Sequence, residues 1–337
     1  MAPLHVLLLL ALSAFCAGSA LPGLWLAAAH AALAPSAAPH PWFEPVSWKP
    51  RSFVAHSFAT REETDHIIAI AQPQLRRSTV VGAGGESVVD TYRTSYGMFI
   101  KRHHDPVVSR LEERVALWTK YNMSHQEDIQ VLRYGNNQQY KAHFDSLDDD
   151  SPRTATVLIY LSDVEEGGET TFPDSEWVDP SMGEKLGPWS PCAKGNVAMK
   201  PKRGDAIVFH SVNPDGKTHD KHALHTACPV LGTGVKYVAI FWIHTLPFRP
   251  DQLAAPQEEE EPLLPEECVD ADPNCPDWAA AGECQSNPGF MRGGATSLGN
   301  CRKSCKDCRV CRPDDDECRR DNRVKAGFLP INGPGFF

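Results

Sequence analysis

The sequence has no excess of basic residues, since 43 aspartates and glutamates outnumber 33 lysines and arginines and the formal net charge is −10 at pH 7. No cluster of lysine and arginine alternates with aromatic residues. Nucleic acid is therefore excluded as an expected ligand, because proteins that bind it concentrate positive charge on one face. A cationic or neutral partner fits this charge balance better.

After residue 34 the sequence has no apolar run long enough to span a membrane. The first 34 residues, in contrast, are almost wholly apolar or small. Residues 1–34 predict entry into the secretory pathway. A cleaved signal peptide and an uncleaved anchor of a single-pass type II membrane protein are about equally favoured, because no basic residue precedes the apolar run. A buried core helix is the less favoured alternative. Residues 35–47, rich in alanine and proline, are interpreted as a stem.

Histidine is lacking from the cysteine-rich end of the chain, which argues against zinc there. Eleven cysteines are present, and apart from Cys16 in the targeting segment they form an even set, with eight between Cys268 and Cys318. This density predicts disulfides and an oxidising compartment, the lumen of the endoplasmic reticulum or Golgi. Asn122, followed by Met and Ser, is a candidate glycosylation acceptor.

What is present favours one large folded unit with a smaller appendage, since the 337 residues are 42% hydrophobic and 9% aromatic. Thr60 with Glu63 has the form of a capping box, and Asp105-Pro106 is typical of a second helix start. Short β-rich runs follow at residues 129–134, 154–161, 205–210 and 235–243. They predict an antiparallel sandwich or jelly roll. The acidic segment 251–267 is interpreted as a linker.

Metal-ligating residue types occur at a suggestive spacing after the first of these runs. His143 and Asp145 are two apart, so on a strand they project to the same face. With a distal histidine, His225, they can form a facial triad that leaves three positions open on a non-haem Fe(II). By itself this pattern is weak, because His-x-Asp pairs are common on ordinary surfaces.

Lys236 begins the last apolar run, eleven residues after His225. A lysine that enters an apolar strand is unfavourable unless it is paired. The carboxylate of a dicarboxylic acid is a suitable partner for its compact charge. An exposed lysine at the end of the strand is the alternative.

The chain resembles the catalytic domain of plant and algal prolyl 4-hydroxylases over residues 48–250. The matching segments are Ser47-Trp48 with Pro50-Arg51, 93–99 (RTSYGMF), 130–134 (QVLRY), 138–145 (QQYKAHFD) and 164–173 (VEEGGETTFP). This resemblance implies a mainly β fold with flanking α-helices, built on a double-stranded β-helix (jelly-roll) core. It also implies oxidative decarboxylation of 2-oxoglutarate to succinate and CO2, coupled to hydroxylation of peptidyl proline at C4 in proline-rich polypeptides.

The resemblance also implies roles for individual residues. His143, Asp145 and His225 would bind Fe(II), while Lys236, Tyr134 and Thr170 would hold 2-oxoglutarate. The resemblance further implies O2 as co-substrate and ascorbate as the reductant that would restore oxidised iron. Residues expected to line the peptide groove are Arg93, Glu127, Tyr140, Arg153, Trp242 and His244.

Two positions depart from the family pattern. Asn137 stands where relatives carry glycine, and asparagine is expected to adopt the left-handed conformation there. His210 stands where an aromatic residue is frequent. We interpret it as part of the wall, because the triad is complete without it.

Residues 268–308 resemble the ShK toxin-like module, followed by a tail at 309–337. The resemblance implies disulfides Cys268–Cys308, Cys275–Cys301 and Cys284–Cys305, with Cys311–Cys318 and Cys192–Cys228 as the remaining pairs. We expect this cysteine-rich C-terminal part, which includes the ShK-like module, to help substrate or partner engagement. The alternative functions are a secreted protein that only binds proline-rich chains, and an oxygenase that acts on another side chain.

Overall fold

A computed structural model describes residues 42–81, 87–146, 151–249, 263–295 and 297–331. The predicted signal segment 1–34 lies outside these ranges, as do residues 35–41 of the predicted stem. Within the ranges given, no helix is long and apolar enough to cross a membrane.

Fourteen strands and seven α-helices occur in the described part of the chain. The strands are β1 (Trp42–Trp48), β2 (Arg51–His56), β3 (Arg76–Arg77), β4 (Val80–Val81), β5 (Ser87–Val88), β6 (Tyr96–Ile100), β7 (Ile129–Tyr134), β8 (Tyr140–His143), β9 (Arg153–Tyr160), β10 (Thr170–Phe172), β11 (Val197–Met199), β12 (Ala206–His210), β13 (His225–Ala227) and β14 (Lys236–His244). The helices are α1 (Arg61–Ala71), α2 (Pro106–Thr119), α3 (Met182–Lys185), α4 (Cys275–Ala280), α5 (Glu283–Ser286), α6 (Pro288–Met291) and α7 (Asp316–Lys325).

Two antiparallel sheets form the core. The larger sheet has the order β1-β2-β12-β9-β14-β7-β6-β3, and the smaller has the order β11-β10-β13-β8. Val54 and Leu158 of the larger sheet share one buried cluster with Phe172 and Val197 of the smaller, so the two sheets pack face to face. The predicted mainly β jelly roll with flanking helices is confirmed.

Two helices cover the other face of the larger sheet. Ile67 of α1 and Leu111 of α2 are buried in one cluster with Val157 of β9. Both helices begin where the sequence predicts. The side chain of Thr60 accepts a hydrogen bond from the backbone of Glu63, and Asp105 caps the first turn of α2. These caps satisfy backbone N–H groups that have no partner within the helix.

The strand β1 corrects the extent of the predicted stem. Residues 42–47 are not a stem but most of a strand, with pairs that run from Trp42–His56 to Trp48–Arg51 along β2. Trp42, Phe43 and Val46 are residue types that favour strands, and the partner strand β2 follows immediately in the sequence. The folded body therefore starts at least six residues before the predicted boundary at residue 48.

The C-terminal part contains four disulfides around a small core. Cys268–Cys308, Cys275–Cys301, Cys284–Cys305 and Cys311–Cys318 are bonded, and Cys192–Cys228 is the fifth pair. These are the five pairs expected from the resemblance. Arg302 is only 2% exposed, and its guanidinium donates to the carbonyls of Pro265 and Asn322. The end of the predicted linker and α7 are thus held against the same side chain.

Candidate active site

Two histidines of the smaller sheet converge with an aspartate that follows the end of β8. His143, the last residue of β8, lies directly opposite His225, the first residue of β13, in the antiparallel register. Asp145 follows two residues after His143, and its carboxylate oxygens are 3.7 Å and 3.8 Å from the Nε2 atoms of His143 and His225. Among the residues the structure describes, these three form the only group whose potential ligand atoms all lie within 4.8 Å of one another.

Both imidazoles are oriented by the backbone. Nδ1 of His143 lies 2.8 Å from the carbonyl oxygen of Lys141, and Nδ1 of His225 lies 3.0 Å from that of Ala223. A carbonyl oxygen can only accept, so each Nδ1 carries the proton. Each Nε2 therefore directs its lone pair toward the other ligands, as a metal requires.

The carboxylate of Asp145 is buried and held by a neighbouring strand. Oδ2 accepts a hydrogen bond from the hydroxyl of Thr156 on β9 at 2.7 Å. Burial favours the neutral acid, but nearby His225 and His143 and the Thr156 hydroxyl outweigh it and lower the pKa of Asp145. Burial and the adjacent His225 lower the pKa of His143. Ionised aspartate with neutral histidine is the donor set of a divalent metal site.

The extra histidine, His210, lies outside this set. Its Nδ1 is 3.1 Å from the carbonyl oxygen of Arg51 on the neighbouring strand β2.

Asn137 has φ of 58°, so the left-handed conformation expected there is confirmed.

Lys236 is the first residue of β14 and lies opposite Tyr134 of β7 in the larger sheet. It is only 1% exposed, and its Nζ has no hydrogen-bond partner in the part of the chain described. Burial lowers the pKa of Lys236 to about 7, with Glu169 acting in the opposite direction. An orphaned buried ammonium group of this kind fits a carboxylate ligand, which supplies the missing charge and acceptors.

The rings of Tyr134 and Tyr160 both lie near this lysine. Tyr134 is buried, which raises its pKa to about 12 and keeps it protonated. The hydroxyl of Tyr160, on β9, donates to the hydroxyl oxygen of Thr170 at 2.9 Å. Tyr160 was missed by sequence reasoning, because a tyrosine in an apolar run is usually core. Its ring lies 5.7 Å from Lys236 Nζ.

One cavity of about 720 Å³ joins the cluster of metal-ligating residues to Lys236. The metal-ligating triad, Lys236, Tyr134 and Thr170 all line it, as do Arg93, Tyr140, Arg153 and Trp242 of the expected peptide groove. Two expected groove residues, Glu127 and His244, do not line it. Sequence reasoning also missed four aromatic residues in the lining, which are Tyr92, Phe99, Phe144 and Phe209.

Glu127 and His244 lie behind Arg153 and hold it in place. Arg153 donates through Nε and Nη2 to the two carboxylate oxygens of Glu127, at 2.5 Å and 3.1 Å. His244 Nε2 lies 2.7 Å from the same carboxylate. The guanidinium of Arg153 lies 3.7 Å from the ring centroid of Trp242. A fixed, stacked cation therefore forms one wall of the cavity.

A jelly roll with a His-Asp-His cluster beside a buried lysine defines a 2-oxoglutarate-dependent Fe(II) oxygenase. The 2OG-Fe(II) oxygenase superfamily model matches residues 129–244, and the ShK domain-like model matches residues 267–308. Prolyl 4-hydroxylase 2 of Arabidopsis thaliana is 42% identical over 271 residues, which cover 78% of this chain and 87% of that protein. Prolyl 4-hydroxylase 5 of the same plant is 38% identical over 219 residues, 62% of this chain and 73% of that one. The chain belongs to the prolyl 4-hydroxylase family.

Among solved structures, a viral collagen prolyl hydroxylase from Paramecium Bursaria Chlorella virus-1, in its 2OG complex, is 26% identical. The match covers 58% of this chain and 96% of that one, with a TM-score of 0.43.

Proposed function

We propose that this protein hydroxylates C4 of prolyl residues in proline-rich polypeptides of the secretory pathway or extracellular space. The observation that carries the proposal is a single cavity. It joins a three-ligand metal cluster, an unpaired buried lysine and a rim of aromatic and cationic side chains.

In this proposal His143, Asp145 and His225 hold Fe(II) through the two Nε2 atoms and the carboxylate. Lys236, Tyr134 and Thr170 hold the distal carboxylate of 2-oxoglutarate. Fe(II), 2-oxoglutarate and O2 together supply the oxidising power, while 2-oxoglutarate is decarboxylated to succinate and CO2; ascorbate restores iron that becomes oxidised. The protein contributes the orientation of these groups within one cavity.

The peptide is proposed to bind across Arg93, Tyr140, Arg153 and Trp242. Proline-rich chains adopt the polyproline II conformation, whose carbonyls are unpaired and whose rings stack on aromatic faces. The guanidinium of Arg93 lies 4.6 Å from the ring centroid of Tyr140. Two guanidinium donors, each stacked on an aromatic ring, are therefore available in the cavity for such a chain. Glu127 and His244 are proposed to act through Arg153 rather than by direct contact.

The proposed compartment is supported by the cysteines. Five disulfides point to an oxidising environment. We place the protein in the lumen of the endoplasmic reticulum or Golgi, where the exposed Asn122 is available for glycosylation. Membrane anchoring through residues 1–34 stays a prediction from the sequence.

The test uses the full chain with Fe(II), ascorbate, 2-oxoglutarate and a set of proline-rich peptides. We expect each hydroxylated peptide to gain one oxygen on a proline ring, with succinate formed in equal amount. Mass spectrometry that localises the oxygen separates this reaction from oxidation of another side chain. A protein that only binds such peptides would release no succinate when peptide is added.

His143→Ala should abolish turnover, and His210→Ala is the matched control because His210 is a nearby histidine outside the ligand set. Retained hydroxylation in His143→Ala would refute the ligand assignment. Absence of hydroxylation by the iron-loaded wild type on every peptide would refute the proposed function.

A further inference from the structure

The last described segment of the chain extends the larger sheet of the oxygenase. Arg76 of β3 forms an antiparallel bridge with Phe328. The amide of Arg77 donates to the carbonyl of Gly327 at 2.9 Å, and the amide of Leu329 donates to the carbonyl of Leu75 at 2.9 Å. Residues 327–329, here called the closing strand, therefore lie next to β3 on the side away from β6.

Side chains fix the closing strand to the oxygenase. The ring of Phe328 is 4% exposed and lies between two cations, with the guanidinium of Arg76 at 4.4 Å and that of Arg323 at 5.8 Å from its centroid. Arg76 also donates to the carbonyls of Gly294 and Ala326. In the reverse direction, Arg323 donates to the carbonyl of Pro73. The C-terminal part is thus docked through both its disulfide-rich core and α7.

The strand β3 needs such support, because it has only two residues and two register pairs with β6. A strand this short at the edge of a sheet is weakly held. The closing strand supplies hydrogen bonds on its other side, so that β3 becomes an interior strand.

The chain runs directly from β3 into the wall of the active-site cavity. Ser78 follows β3 and bonds Ser95 through its amide and its hydroxyl, both at 2.9 Å. The next two residues, Thr79 and Val80, line the cavity, as does Arg93. Whatever holds β3 therefore also holds this part of the peptide-facing wall.

We infer that the closing strand, through β3 and Ser78, positions the wall residues Thr79 and Val80 for binding of the peptide substrate. The inference rests on the proposed function for the identity of that substrate. It assigns to the C-terminal part a definite task, which is to fix one side of the peptide groove. A C-terminal part that was only tethered by the acidic segment before it would have no such task.

The test compares Leu329→Pro with Leu329→Ala in the full chain. Proline removes the amide that donates to Leu75, whereas alanine keeps it. Phe328→Ala is a second variant that leaves the backbone unchanged but removes the ring between the two arginines. Arg309→Ala is the control for general damage to the tail, because Arg309 pairs with Asp321 on the exposed surface. Hydrogen–deuterium exchange of residues 75–81 and the KM values for peptide and for 2-oxoglutarate are measured for each.

We expect Leu329→Pro and Phe328→Ala to speed exchange at residues 75–81 and to raise the KM for peptide about fivefold, with the KM for 2-oxoglutarate within about twofold of wild type. Leu329→Ala should have a smaller effect on both readouts, and Arg309→Ala none. Unchanged exchange, or an equal rise of both KM values, would overturn the inference. Because exchange is measured without turnover, it decides the structural coupling even if no proline peptide is hydroxylated, which would instead contradict the proposed function.

Discussion

His143 and His225 are direct cross-strand partners, and their ring centroids lie 4.2 Å apart. The two histidine ligands of the proposed metal site are therefore fixed by the pairing of β8 with β13. Because each Nδ1 is bonded to a backbone carbonyl, the Nε2 atoms are aimed before any metal arrives. Asp145 is the one ligand that depends on a side chain from another strand.

That dependence predicts the effect of Thr156→Val. The substitution keeps the shape of the side chain but removes the hydroxyl that donates to Asp145 Oδ2. We expect the dissociation constant for Fe(II) or Co(II) to rise about tenfold, as is usual when the hydrogen-bond partner of a ligand is lost. Metal titration under anaerobic conditions measures it. Thr171→Val is the control, since that hydroxyl donates to the carbonyl of Val197. Equal metal affinities in all three proteins would contradict the arrangement.

The pKa of Lys236, lowered by burial to about 7, predicts a pH dependence for binding of 2-oxoglutarate. Below pH 7 the amine is already charged and attracts the distal carboxylate. Above pH 7 a proton must be taken up on binding, because the ion pair raises the pKa of the lysine in the complex. Affinity should therefore fall as pH rises above about 7, by at most about tenfold per pH unit.

A matched ligand isolates this effect. 2-Oxobutyrate keeps the chelating keto acid but lacks the distal carboxylate, so the ratio of the two dissociation constants cancels changes at the metal. We expect the ratio to vary with pH in the wild type and to be flat in Lys236→Met. Calorimetry between pH 6 and pH 9 measures the ratio. A flat ratio in the wild type would contradict a pKa of Lys236 near 7, and a ratio equal to that of Lys236→Met would show that Lys236 does not bind the carboxylate.

Local signals in the sequence are sufficient for much of the fold. The strand predicted at residues 129–134 is β7 without change, and the caps at Thr60 and Asp105 lie where their residue types predict. Each of these depends on side chains close in sequence, through alternation or through hydrogen bonds within one turn.

Pairings between distant segments could not be predicted in the same way. Tyr160 faces Thr170 only because β9 and β10 lie in opposing sheets, and nothing local distinguishes it from a core tyrosine. Phe328 is separated from Arg76 by about 250 residues, so their bridge has no local signal. Glu127 and His244 resemble groove residues by type, yet burial places them behind Arg153.

Arg153→Lys tests whether the contact between Arg153 and the buried Glu127 is needed for binding of the peptide. A lysine keeps the charge but loses the paired contact with Glu127 and the stacking on Trp242. We expect the KM for peptide to rise about tenfold, with the KM for 2-oxoglutarate within about twofold of wild type. Arg133→Lys is the control, because Arg133 lies on β7 and does not line the cavity. Equal changes in both KM values would indicate general damage instead.

Glu112 predicts a pH dependence of stability that is separate from catalysis. Its carboxylate accepts hydrogen bonds from the amide of His103, at 3.1 Å and 3.3 Å, and burial raises its pKa to about 7. The unfolded chain ionises this group at a lower pH than the folded protein does. Between about pH 4.5 and pH 7 the unfolded state therefore binds fewer protons, and the free energy of unfolding falls as pH rises.

Glu112→Gln removes this dependence, because the amide oxygen still accepts from His103 but carries no charge. Urea denaturation should show the variant more stable than wild type by about 1 to 3 kcal/mol at pH 8. At pH 5 the difference should be smaller, because both the carboxyl of Glu112 and the amide are then largely neutral in the fold. Glu113→Gln, at an exposed neighbouring position, is the control and should show no such change with pH. A Glu112→Gln difference that stays constant from pH 5 to pH 8 would mean that Glu112 ionises alike in the folded and unfolded chain.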